Sequence, residues 1–172
     1  MPKGMSRPRT IPDDAIFAEV RRLLAEGGDK AVAFASVARA TGLAAPTLVQ
    51  RYGSREGMVR AALMAAWDTL DRQTDAAQAG ADSALGLLKA LGAGTETADL
   101  SRLAADFRDA ALRARAEAWR ARVEAALARS MGGGSKAREA AAVLFVAWQG
   151  RMLWQDVGGK GIRLKDLVRR LG

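Results

Sequence analysis

The 172 residues contain no cysteine and no histidine. The first absence excludes disulfides and thiolate metal sites. The second removes the usual metal ligand, the commonest general base and any Ser-His or Cys-His nucleophile pair. An enzyme would have to work with carboxylates or lysine, and no catalytic constellation or cofactor site can be assembled from what remains. Aromatics are scarce, with four Trp, four Phe and one Tyr, and there are only four prolines. No alternating run of β-branched residues reads as a strand. The longest apolar run, Ala140 to Trp148, is too short to span a bilayer. The basic N-terminus carries no apolar stretch of the secretory kind. Together these absences predict a soluble, cytoplasmic, non-enzymatic protein with no metal, no cofactor and no membrane partner.

What is present is the vocabulary of helices. Hydrophobic residues make up 49% of the chain, and alanine, leucine and arginine dominate. The fold class expected is all-α. The net charge is +8 and the pI near 10.7, which suits a polyanionic partner. Residues 1–60 hold ten Lys/Arg against six Asp/Glu, and residues 61–172 seventeen against thirteen. Each part therefore carries +4, and the excess is denser in the shorter one.

Taken in order, residues 1–9 form a basic arm with Lys3, Arg7 and Arg9, either a floppy terminus or a segment lying along DNA. Thr10-x-x-Asp13 reads as a capping box opening a helix over 11–26, with Ile16, Val20, Leu23 and Leu24 as its buried stripe. Gly27-Gly28 ends it. Phe34, Val37 and Ala38 then mark a short helix, Thr41-Gly42-Leu43 a sharp turn, and Pro46 to Tyr52 a second short helix. Gly42 is the hinge, because that turn needs a residue that accepts positive φ. Ala38 is small enough for the helices to cross closely, with Leu43 and Leu48 packed beneath. This is the helix-turn-helix pattern.

From Ser54 a long helix should reach about Ala77, with Val59, Leu63, Trp67 and Leu70 on one face. Shorter helices follow over 81–91 and 98–108, the latter turning Leu100, Leu103 and Phe107 inward. Asp109 is placed to cap a helix reaching Ser130, on which Leu112, Trp119 and Val123 recur at helical spacing. Arg115, Arg122 and Arg129 recur every seven residues, like charges flanking a coiled-coil seam. The helix over 135–157 is apolar around its whole circumference at 140–148, so it must be covered on both sides. Either it is a central helix of a monomer, or one face meets a second subunit and builds a four-helix bundle across a twofold axis. Ile162 to Leu171 reads as a short basic terminal helix.

The stretch from 37 to 58 resembles the DNA-binding domain of the tetracycline-repressor (TetR) family. Val37-Ala38 stands for its Ile-Ala, Thr41-Gly42-Leu43 for its Ala-Gly-Val, and Thr47-Leu48 for its Thr-Leu. Tyr52 takes its aromatic position, Gly53-Ser54-Arg55-Glu56 its Gly-Ser-Lys-Glu, and Met58 the following Leu. Ala44, Pro46 and Val49 depart from its frequent Ser, Gly and Tyr. The resemblance covers roughly residues 10–70. It implies a DNA-binding domain over 1–56 and a helical ligand-binding and dimerisation domain over 57–172. It implies a homodimeric transcriptional regulator, a repressor released from a palindromic operator in double-stranded DNA by a small apolar or aromatic effector. The alternative is an effector-independent DNA-binding or helical protein-interaction module.

The DNA-binding residues expected are Ala45, Pro46, Thr47, Gln50 and Arg51 on the recognition helix, Arg55 beyond it, and Arg7 and Arg9 on the arm. Gln50 suits adenine, Arg51 guanine or phosphate, Thr47 and Arg55 phosphate, and Ala45 a thymine methyl. Met64, Trp67, Phe107, Trp119, Phe145 and Met152 are the expected pocket lining, weighed against plain core packing. Val123, Leu127, Leu144, Trp148 and Arg151 are the expected dimer interface.

Overall fold

A computed structural model describes residues 11–94, 109–154, 157–158 and 163–171. Among these there are eight α-helices and no strand. They are α1 (Asp13–Gly27), α2 (Phe34–Thr41), α3 (Ala45–Tyr52), α4 (Arg55–Gly80), α5 (Ala84–Gly94), α6 (Ala110–Ser130), α7 (Gly134–Trp154) and α8 (Leu164–Leu171). The chain divides into two compact units, 1–65 and 66–172, and α4 belongs partly to each. The first unit thus takes in more of α4 than an N-terminal domain over 1–56 would. The helix expected over 98–108 lies outside the described residues.

In the first unit, α1 begins at Asp13 with Pro12 as its cap residue and no side-chain cap. Thr10, the expected cap, lies outside the described residues. Ile16 and Val20 are fully buried with Val37 of α2, Leu48 of α3 and Met58 of α4, while Leu23 and Leu24 are half-buried. Ser36 ties the start of α2, accepting from the Ala33 N–H at 2.9 Å and donating to the Ala31 carbonyl at 2.8 Å. Gly42 adopts φ 72°, ψ 12°, and its N–H closes α2 on the Ala38 carbonyl at 2.9 Å. A side chain there would meet open space, so the left-handed backbone alone demands glycine. Ser54 opens α4 by accepting from the Gly57 N–H at 2.9 Å.

In the second unit, α6 and α7 are joined by a tight glycine turn and pack on each other as antiparallel neighbours. Asp109 caps α6, its carboxylate accepting from the N–H groups of Ala111 at 2.9 Å and Leu112 at 3.2 Å. Four rings run through the core: Trp67 to Trp119 at 5.8 Å, Trp119 to Phe145 at 5.7 Å and Phe145 to Trp148 at 6.0 Å between centroids. The Trp119 indole N–H donates to the buried Thr74 hydroxyl at 2.8 Å, and that hydroxyl donates to the Leu70 carbonyl at 2.7 Å. Outside this core, Arg115 pairs with Asp68 and Asp71, and Arg122 with Asp71 and Asp75. Two of the three arginines in the seven-residue series therefore brace α6 against α4 instead of flanking an intermolecular seam. Such half-exposed pairs contribute little individually, roughly 1 kcal/mol or less, and chiefly set register.

Candidate DNA-reading face and effector cavity

On α3 the helical period separates an inner from an outer face. Leu48 points into the core with no exposure, and Tyr52 rests its ring 5.8 Å from Phe17 of α1. The outer face presents Pro46, Val49 and Gln50, all exposed, flanked by half-buried Ala45 and Thr47. Val49 is 44% exposed, and the helical spacing that pairs it with Pro46 could have marked it as part of this face. Arg39, exposed on the last turn of α2, has no partner among the described residues. Neither was among the expected contact residues. Arg7 and Arg9 lie outside the described residues.

Two arginines assigned to DNA have partners within the unit. The Arg51 guanidinium donates to the Ile11 carbonyl at 3.0 Å and to Asp13 Oδ1 at 3.3 Å. Arg55 donates from Nε to the Val32 carbonyl at 2.6 Å and pairs with Asp29 at 2.7 Å. The hydrogen bond to Asp29 holds its guanidinium more firmly protonated than usual. These contacts make Arg51 a brace between the end of α3 and the start of α1. Arg55 likewise braces α4 against the turn before α2. Their partners lie 23 to 40 residues away in sequence, beyond any local pattern.

Asp13 also accepts from the Tyr52 hydroxyl at 2.7 Å. Burial, and then this hydrogen bond to a carboxylate, push the Tyr52 hydroxyl up to about 12. Folding therefore favours protonated tyrosine. That stabilisation is complete below the unfolded value of about 10 and is lost as pH rises through about 12. The chain has a single tyrosine, so its ultraviolet titration is unambiguous. The unaltered protein should ionise near 12, and Asp13→Asn should bring the midpoint down towards 10. An unmoved midpoint would show that Asp13 does not hold the hydroxyl.

In the second unit, the residues expected to line a ligand pocket instead fill the core. Trp67 and Trp119 are 3% exposed and Phe145 is 1% exposed, each ring covered by its neighbours in the aromatic chain. Met64 is half-buried in the first unit, and Phe107 lies outside the described residues. Met152 does line a cavity, of about 430 Å³, bounded by α5, α7 and the start of α8. Leu85, Leu88 and Leu164 supply apolar wall, and Trp148, Lys89 and Arg151 complete it beside Gly92.

The expected dimer residues need a similar correction. Val123, Leu127 and Leu144 have no exposed surface and Trp148 only 3%, so all four lie inside the unit. They have nothing left to bury against a second chain. Arg151 is exposed but sits at the cavity. The large apolar side chains that α7 turns outward are Val143 (50% exposed), Val146 (57%), Leu153 (59%) and Trp154 (59%). With half-buried Gly150 between them, they form an apolar stripe opposite the core. Among the described residues no helix is long and apolar enough to cross a membrane, and no acidic cluster could hold a metal ion.

No family's sequence model matches the chain, and no curated protein does either. Solved structures do match. A protein assigned as a transcriptional regulator from Saccharomonospora viridis, crystallised in complex with choline, superposes with a TM-score of 0.71 at 15% identity, over 92% of both chains. A protein assigned to the TetR family of transcriptional regulators from Rhodococcus sp. superposes with a TM-score of 0.62 at 20% identity, over 92% of this chain and 93% of that one. The fold is therefore the all-α, TetR-like fold, carried over nearly the whole length.

Proposed function

We propose, from that fold and from the outer face of α3, that the chain is a sequence-specific DNA-binding transcriptional regulator acting as a homodimer. The observation that carries the reading is the set Pro46, Val49 and Gln50, presented outward on a short helix locked by Gly42, Leu48 and the Asp13 brace. A recognition helix enters the major groove with such a face. Gln50 has the donor and acceptor for adenine, and Val49 and Ala45 are apolar partners for a thymine methyl. Thr47 and Arg39 are placed for phosphate, which positions the protein without specifying sequence.

Pairing of two chains through the stripe on α7 sets two recognition helices on one operator, which requires a near-palindromic site. The second unit then serves as dimerisation and effector module. The protein is a repressor in this reading, released when a small molecule with an apolar body enters the second unit. The choline seated in the Saccharomonospora protein supports a small-molecule role for this fold.

The test is Gln50→Ala on a duplex recovered by selection. Affinity should fall by about 1–3 kcal/mol, with the preference relaxed at one base position of each half-site. Equal affinity and an unchanged preference would overturn the base-reading assignment.

A further inference from the structure

Among the described residues, the charge lining the cavity in the second unit is one-sided. Its walls are apolar, from Leu85, Leu88, Met152 and Leu164, while the charged side chains lining it are Lys89 and Arg151, both cations. No carboxylate lines it among the described residues. Neither Lys89 nor Arg151 has an ion pair or hydrogen bond among the described residues, whereas Arg115, Arg120 and Arg122 of α6 are all paired. Asp166, in the first turn of α8, is engaged with Arg169 at 3.6 Å and does not reach the cavity wall. Gly92 has no side chain to cover Trp148, whose Nε1 lies 3.6 Å from where a Cβ would stand.

Two cations on the rim of one concavity repel each other, and an anion between them relieves that repulsion. A guanidinium and an ammonium also bind carboxylate oxygens by charge-assisted hydrogen bonds, the guanidinium in a planar fork. The volume falls within the range of small-molecule sites, roughly 300–1,000 Å³. We infer that this cavity binds a small organic anion, its carboxylate held by Lys89 and Arg151 and its apolar body packed against Leu88, Trp148 and Met152. This names the ligand class of the effector module and rests on that reading of the second unit.

Isothermal titration of the full chain with octanoate, octan-1-ol and octyltrimethylammonium tests it, because the three share an apolar body and differ in the charge of the head. Octanoate should bind at one site, octan-1-ol at least about tenfold more weakly, and the ammonium not at all. The double variant Lys89→Gln, Arg151→Gln should reduce octanoate to the affinity of octan-1-ol while leaving octan-1-ol unchanged. Equal binding of the acid and the alcohol by the unaltered chain, binding of the ammonium, or no binding of octanoate overturns the assignment. Retention of a selected duplex is measured in parallel. Octanoate binding by a chain that retains no duplex upholds the anion site and overturns the regulator reading. Duplex retention without octanoate binding does the reverse.

Discussion

Val146→Asp combined with Leu153→Asp should convert the protein from dimer to monomer in sedimentation analysis while leaving its helical content unchanged. Both side chains are more than half exposed in the single chain, so the substitutions remove nothing from its core. In the proposed dimer they lie on the stripe that a second α7 covers. Burying an unpaired carboxylate costs several kcal/mol, and a twofold interface repeats each insult. Dissociation should therefore strengthen by more than about a hundredfold, and retention of a two-site duplex should be lost with it. The contrasting pair Val123→Ala and Leu144→Ala attacks side chains with no exposed surface. Those should lower stability without selectively splitting the dimer. An aspartate variant that still sediments as a dimer places the self-association elsewhere.

Trp119→Ala should be the most damaging single substitution in the second unit. Its ring touches those of Trp67 and Phe145, and its indole N–H supplies the buried Thr74 hydroxyl. Removing it opens a large void, at about 3–5 kcal/mol for a buried Trp, against a total stability of about 5–15 kcal/mol for a domain. The melting temperature should fall by at least about 12 °C. Trp119→Phe keeps most of the ring contact and loses the hydrogen bond, so about 1 kcal/mol is expected. All four tryptophans lie in the second unit and the only tyrosine in the first, so tryptophan fluorescence follows this melt without interference. A drop of only a few degrees for Trp119→Ala would mean that the aromatic chain does not hold the second unit together.

The helix-turn-helix was legible because its determinants are local. Gly42 must take a left-handed backbone, Ala38 must be small, and Leu48 must face inward four residues after Ala44 opens the next turn. Asp109 was legible as a cap for the same reason. What local pattern could not supply was direction. The run at 140–148 is apolar all the way round, so its period does not say which side meets α6 and which is left outside. Leu144 and Trp148 turned in, and Val143 and Val146 turned out. The same holds for the pocket, since Trp119 and Phe145 recur at the same helical spacing whether they surround a ligand or one another. Arg51 and Arg55 have partners that no local pattern shows, Asp13 and Asp29, on segments remote in sequence. Val49 departs from the tyrosine of the family it resembles, although its spacing from Pro46 puts it on the same face.

Selection of bound fragments from a pool of random duplexes tests the central claim most directly, that α3 turns a base-reading face outward in each of two symmetric chains. The account predicts a recurring two-fold symmetric sequence whose half-sites lie about one DNA turn, or a multiple, apart. A pool that stays unenriched, or a consensus with no internal symmetry, contradicts it.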